Sequence, residues 1–205
     1  AASLAKLFVA GAAYKKIQEE PDYMSKELYL RGEDKVDGNG DLIGDPVGSK
    51  YTAQFLIEKM MSQSDNTAFA LLSRDLGIRP INDFIDGLGL KNTDFRENNS
   101  SPKDVGNFFE TIYKGDLLNK DFKDEILGFM QNTAFEDRIP YYLPGGTKVS
   151  HKIGTWAGAY SDAGIVFADK PYIIVIMTDG ANEDEAINAI RQISKVIYYY
   201  FNNQR

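Results

Sequence analysis

The chain has 205 residues, of which 43% are hydrophobic, 26% charged and 12% aromatic, and this composition is typical of a folded globular domain rather than a disordered chain. Its 23 basic and 30 acidic residues give a net charge of −7, and the basic residues form no cluster, which argues against a nucleic-acid partner. The lack of cysteine excludes a disulfide scaffold, a zinc–thiolate site and a thiol nucleophile, and the single histidine, His151, makes a histidine-based triad or metal cluster hard to assemble.

The first two thirds of the chain show the apolar period of helices. Residues 3–20 carry Leu4, Leu7 and Phe8 at helical spacing within an alanine-rich segment, which predicts a helix that is buried on all sides. Residues 31–49 have the glycine- and aspartate-rich composition of a loop. Polar or glycine breaks then separate five further predicted helices, at residues 51–61, 67–76, 80–86, 102–114 and 120–131.

From residue 147 onward the pattern changes to short apolar runs, which predict strands at residues 147–155, 159–167 and 172–178. The turn Asp169-Lys170-Pro171 predicts that the last two strands pair antiparallel. A final helix follows Asn182. We interpret its apolar positions, and the aromatic run 198–201 that ends them, as a stripe facing the core: Ala186, Ile190, Ile193, Ile197 and Tyr200.

This order of elements predicts an α+β protein in which the first and last helices cover an antiparallel sheet beside an all-helical lobe. We expect one domain over residues 1–205. The helical lobe should comprise about residues 21–145, and the α/β part should be formed by residues 1–20 and 146–205.

Ser3 and Lys6 are the first candidate catalytic pair. They lie three residues apart at the start of a helix and therefore share one face. A desolvated lysine has a lowered pKa and can accept the proton of a serine hydroxyl. The motif alone is weak, because Ser-x-x-Lys occurs again from Ser100 to Lys103.

Two further motifs follow. The triplet Ser64-Asp65-Asn66 is expected far less than once by chance, and its alternative interpretation is a polar helix cap provided by Asn66. Lys152-Ile153-Gly154, followed by Thr155, ends the first predicted strand. Its alternative interpretation is a strand edge with a solubilising lysine and a glycine where another backbone approaches.

In this order the three motifs resemble the signature of the penicillin-recognising serine enzymes, class A β-lactamases and penicillin-binding proteins: Ser-x-x-Lys, Ser-Asp-Asn and Lys-Thr-Gly. The resemblance covers nearly the whole chain. It implies that Ser3 is the acyl-accepting nucleophile and Lys6 its general base. It also implies that Ser64 relays a proton to the leaving nitrogen.

The same resemblance implies that Lys152 supplies positive charge that keeps Lys6 poised and attracts the substrate carboxylate. Asn66 would hold the substrate's side-chain amide, and Asp65 would stabilise its loop. The backbone N–H groups of Ser3 and Thr155 would form the oxyanion hole. The substrate-binding residues implied are Asn66, Gly154 and Thr155.

The chain departs from the family pattern in two places. Ile153 stands where the family has threonine or serine, so we expect weaker carboxylate binding, with the Thr155 hydroxyl on the same strand face as a substitute. The stretch from residue 93 to 102 is shorter than the family loop that carries the deacylating glutamate. Glu97 is the acid that could stand in for it, and the alternative is a solvated loop residue paired with Arg96 or a helix end.

The resemblance implies a serine hydrolase that opens β-lactams through an acyl-serine intermediate, with slow deacylation. One alternative is a D,D-peptidase or penicillin-binding protein that acts on cell-wall peptides, and another is a non-catalytic β-lactam-binding sensor domain. The expected partner is a β-lactam or a D-Ala-D-Ala-type peptide. No nucleic acid, membrane span, metal or cofactor is expected.

The family normally has a helix and strands before its nucleophile helix, so N-terminal elements are expected to be missing from this chain. We expect a bacterial, monomeric enzyme of antibiotic resistance. Its location should be extracytoplasmic: secreted, periplasmic or anchored at the surface through a missing leader.

Overall fold

The computed structural model describes residues 1–202. A short 3-10 turn, Ala2–Leu4, leads into the first helix. The α-helices are α1 (Ala5–Glu19), α2 (Ala53–Ser62), α3 (Asn66–Leu76), α4 (Ile78–Gly87), α5 (Pro102–Lys114), α6 (Lys120–Gln131) and α7 (Glu183–Asn202). The strands are β1 (Glu27–Tyr29), β2 (Lys50–Thr52), β3 (Lys148–Trp156), β4 (Ala159–Phe167) and β5 (Tyr172–Met177).

Helix α5 begins after a capping serine and ends at a glycine. The Ser101 hydroxyl accepts the Asp104 N–H at 3.2 Å, and Pro102 takes the first helical position, where no N–H is needed. Gly115 ends the helix with a left-handed φ of 78°, a conformation that glycine adopts without strain. The helix predicted at residues 102–114 is confirmed.

The alternative interpretation of the triplet, in which Asn66 caps α3, is wrong by one residue. Asp65, not Asn66, is the N-cap, and its Oδ1 accepts the Ala68 N–H at 2.7 Å. Asn66 is already the first helical residue, and its side chain makes contacts outside the helix.

Strands β3, β4 and β5 form an antiparallel sheet in that order, and Lys152 on β3 pairs with Ala163 on β4. Strands β1 and β2 pair antiparallel in a second, two-stranded sheet that was not predicted. Each of these strands has three residues, too few to show a period of two.

Helix α1 is surrounded on all sides, as predicted, over residues 5–14, where Leu7, Val9, Ala10 and Tyr14 are fully buried. Its last turn is partly exposed, at Lys15 among others. It packs against α2, α3 and α4, so the turn that carries Ser3 is fixed by the core of the helical part. A smaller apolar cluster lies between the sheet and α7.

The predicted stripe of α7 is wrong in part. Ile193 and Tyr200 are 43% and 63% exposed, and the run 198–201 is not the end of a buried stripe. Apolar residues lie all around the C-terminal half of α7, whereas the sheet covers only one face of it. The buried positions are Ala186, Ile190 and Ser194, and the Ser194 hydroxyl donates to the Ile139 carbonyl oxygen at 2.8 Å.

No helix within residues 1–202 is long and apolar enough to cross a membrane.

Candidate active site

The three motifs meet around the amine of Lys6. Its Nζ donates to Ser3 Oγ at 3.0 Å, to Ser64 Oγ at 3.2 Å and to Asn66 Oδ1 at 2.6 Å. Ser3 lies in the 3-10 turn before α1, and the other two partners lie at the start of α3. The fold therefore places a serine hydroxyl beside a lysine amine, as a lysine-activated nucleophile requires.

The amine of Lys152 approaches the same site from the opposite side. Its Nζ donates to Ser64 Oγ at 2.8 Å, so this hydroxyl lies between two lysine amines. Ser64 is fully buried and has a positive φ of 56°, which is rare for a residue other than glycine. A strained backbone at the point where two amines converge is typical of a functional site.

The Ser64 turn is held by the carboxylate of Asp65. This buried group accepts the Leu42 N–H at 3.1 Å in addition to the Ala68 N–H. These two contacts with backbone N–H groups fix the loop. Neither carboxylate oxygen is hydrogen-bonded to Lys6.

The amide of Asn66 is held in one orientation. Its Nδ2 donates to the Asp37 carbonyl oxygen at 2.7 Å, while its Oδ1 accepts from Lys6. The loop at residues 31–49 thereby forms one wall of the site.

Both lysines are buried, and burial disfavours their charged forms. Burial lowers the pKa of Lys6 to about 8, with the Asp65 carboxylate opposing the change. Burial lowers the pKa of Lys152 well below its usual value, and the charge of Lys6 lowers it further. Both shifts favour the neutral amine, the form in which a lysine can accept a proton.

A cavity of about 550 Å³ opens above these groups. Of the predicted site residues, Ser3, Lys6, Asn66 and Thr155 line it, whereas Ser64 and Lys152 lie buried beneath its floor. Much of the wall is apolar, formed by Val36, Phe69, Phe135, Ile153 and Trp156.

Gly154 lets β3 closely approach the turn that carries Ser3. A Cβ at this position would lie 3.1 Å from the Ala1 carbonyl oxygen and 3.4 Å from Leu4 Cγ. A larger residue would therefore push the strand that carries Thr155 away from the turn that carries Ser3.

Arg138 is a site residue that was not predicted. It is 3% exposed, and its Nη1 donates to the carbonyl oxygens of Gly154 and Ser161, at 2.8 and 2.6 Å. Its Nη2 donates to Thr155 Oγ1. A lone arginine in a loop carries no sequence pattern, so only the fold reveals that it holds the Thr155 hydroxyl at the cavity.

Glu97 is exposed and is not among the described residues that line the cavity. Its backbone N–H donates to Asp94 Oδ1 at 3.1 Å. The Phe69 ring lies beside Lys6, with its centre 5.4 Å from Lys6 Nζ, and Phe95 packs on that ring.

A family model described as the β-lactamase enzyme family matches residues 1–201. The chain belongs to this family. The match confirms the resemblance predicted from the three motifs.

Among curated relatives, a β-lactamase from Streptomyces albus G is 23% identical over 210 residues. The match covers 90% of this chain and 66% of that relative, so the chain spans about two thirds of the relative's length.

Among solved structures, PBP-A is 27% identical with a TM-score of 0.93, over 98% of this chain and 80% of that one. A mutant of PBP-A, solved as an acyl-enzyme complex with penicillin G, matches with the same identity and TM-score, over 98% of this chain and 81% of its own. These similarities confirm the predicted α+β fold.

Proposed function

We propose that the chain is a serine hydrolase that opens the amide bond of β-lactams through an acyl-serine intermediate. The observation that carries the proposal is the set of contacts of Lys6 Nζ with Ser3, Ser64 and Asn66 at 2.6 to 3.2 Å. Membership of the β-lactamase family supports it.

In the proposed reaction, Ser3 Oγ attacks the lactam carbonyl carbon and its proton passes to the neutral amine of Lys6. The backbone N–H groups of Ser3 and Thr155 stabilise the oxyanion that forms. The carbon–nitrogen bond then breaks, and the leaving nitrogen takes a proton from the Ser64 hydroxyl. Lys6 returns the proton it accepted to Ser64, so the protons balance and the acyl-enzyme remains on Ser3.

Substrate binding is proposed to involve a carboxylate at the β3 side of the cavity. The Lys152 amine lies beneath this side, and Arg138 donates to the Thr155 hydroxyl oxygen there. Ile153 offers no hydroxyl here, so Thr155 takes that role. We propose that Asn66 binds the side-chain amide of the substrate. We also propose that Gly154 allows β3 to come close to the turn that carries Ser3.

We propose further that the acyl-enzyme is hydrolysed slowly. The aromatic pair Phe69 and Phe95 lies beside Lys6, and Glu97 does not line the cavity, so no carboxylate of this loop is placed to activate water. This observation also favours a second candidate function, a penicillin-binding D,D-peptidase acting on D-Ala-D-Ala-type peptides. The PBP-A complex shows that a similar fold can hold a penicillin acyl group.

The wider proposals follow from the family. We propose a bacterial protein of antibiotic resistance that works as a monomer outside the cytoplasm. We also propose that residues 1–205 act as one catalytic domain, with the helical lobe and the α/β part meeting at the cavity.

The Glu97→Gln variant is expected to acylate and deacylate within about twofold of wild type, because the carboxylate lies in solvent. Stopped-flow measurement of both steps with benzylpenicillin checks this. Asp94→Asn, in the same loop, is the matched control. A tenfold or larger loss of deacylation in Glu97→Gln alone would instead make Glu97 the water-activating base.

The proposed function is tested by mixing the wild-type chain with benzylpenicillin and recording intact mass over time. We expect one penicillin per chain, located on the peptide that contains Ser3, with a lifetime of minutes or longer. An adduct lost within seconds would contradict slow deacylation. Absence of both adduct and hydrolysed penicillin would contradict the proposed function itself.

A further inference from the structure

A buried ion pair lies directly behind the site. His151 precedes Lys152 on β3 and is 1% exposed, and its Nδ1 is 2.9 and 3.0 Å from the two carboxylate oxygens of Asp162 on β4. Asp162 is fully buried. Neither residue lines the cavity, and the proposed reaction uses neither of them.

The Asp162 carboxylate also holds the loop that precedes β3. Its Oδ2 accepts the Ile139 N–H at 2.9 Å, and Ile139 follows Arg138 directly. Arg138 in turn donates to Thr155 Oγ1 and to the Gly154 carbonyl oxygen. Hydrogen bonds, together with the peptide bond between Arg138 and Ile139, thus join His151 to the hydroxyl that faces the cavity.

The charges around His151 keep it protonated. Asp162 faces the ring from β4, and Glu136 Oε1 lies 3.9 Å from its Nε2 from the loop before β3. The Lys152 amine and the Arg138 guanidinium are the other nearby basic groups, from β3 and the same loop. Burial lowers the pKa of His151, but the two carboxylates outweigh burial and raise it to about 9.

A buried aspartate without a cationic partner is costly, so loss of the imidazolium proton would weaken the hold of Asp162 on its other partners. Nε2 makes no hydrogen bond with any residue the structure describes, so the ring's side-chain hydrogen bonds all go to Asp162. The bond from the Ile139 N–H to Asp162 thus helps to hold the backbone beside Arg138.

We propose that His151 and Asp162 are positioning residues that hold Arg138, and through it the Thr155 hydroxyl, where the carboxylate of the substrate binds. The inference rests on the proposed function, since it concerns how that site selects acidic β-lactams. In this chain Ile153 makes the arrangement necessary, because no other hydroxyl is available on that face of β3.

The test compares benzylpenicillin with its methyl ester, which differ only in the carboxylate. The measured quantity is the ratio of their acylation efficiencies. We expect the wild type to prefer the acid and His151→Asn to reduce this preference roughly tenfold, the effect of weakening one hydrogen bond to a charged group. The control is Ser150→Ala, an equally buried neighbour on β3 that bonds the Leu127 carbonyl oxygen instead.

In the Thr155→Val background, His151→Asn should reduce the preference no further, because the two changes act on one contact. If His151→Asn slows both penicillins equally, or acts additively with Thr155→Val, the residue is merely structural and the inference is wrong. If neither penicillin acylates the wild type, the proposed function fails instead.

A measurement on the wild type alone removes dependence on how well the variants fold. As pH rises through about 9, His151 loses its proton and the preference for the acid should fall. Lys6 titrates near 8, so the step in the ratio that reports on the imidazole is the one centred near 9. A ratio that stays constant from pH 7 to pH 10 would overturn the inference.

Discussion

Replacement of Ser3 by alanine is expected to abolish covalent labelling by benzylpenicillin, a loss of at least roughly 10⁴-fold in acylation. The hydroxyl is the proposed nucleophile, and Lys6 has no other hydroxyl beside it that lines the cavity among the described residues. Stability should change little, because Ser3 is only half-buried and its side chain gives up one hydrogen bond.

Ser100→Ala is the matched control for this variant, since Ser100 begins the second Ser-x-x-Lys sequence and does not line the cavity. It should label like wild type. Intact-mass spectrometry checks both variants. An adduct on Ser3→Ala would show that another group is the nucleophile, and a wild type that binds penicillin without an adduct would support the non-catalytic sensor alternative.

The Lys6→Met variant is expected to acylate about 10³-fold more slowly than wild type, the range usual for loss of a general base. Methionine keeps the apolar stem of lysine but removes the amine that contacts Ser3 and Ser64. Lys15→Met, an exposed position on the same helix, is the control and should leave the rate unchanged. Stopped-flow acylation with a chromogenic cephalosporin provides the measurement.

The pH dependence of acylation is a second readout of Lys6. The neutral amine is the proposed base, so the wild-type rate should rise with pH through about 8 and then level off. Lys6→Met should lack this rise. A variant within a few-fold of wild type, or a rise that persists without the amine, would assign the base to Lys152 or to another group.

Local sequence patterns predict most of this fold. The helix at residues 120–131 and the strand at 159–167 have the predicted bounds, because caps, turns and apolar periods all agree there. The β1–β2 pair escaped prediction because it depends on pairing rather than on pattern. The predicted core-facing stripe of α7 is partly wrong because the apolar period does not determine how much of the helix the sheet covers.

The candidate site is predictable only through its motifs. The sequence brings Ser3 and Lys6 together by helical spacing, whereas the contacts with Ser64 and Lys152 depend on tertiary structure. No sequence pattern points to Arg138, because its role depends on hydrogen bonds to three acceptor atoms on two strands.

The placement of Ser64 between two amines has a consequence for how the protein can be assayed. The two lysines are 58 and 88 residues from Ser64 along the chain, on elements that meet only when the helices and the sheet have both formed. A partly folded chain cannot assemble this cluster, because no single segment contains it. A pulse of penicillin shorter than the refolding time, given at each denaturant concentration, would therefore label native molecules, and the acylated fraction would measure folding cooperativity.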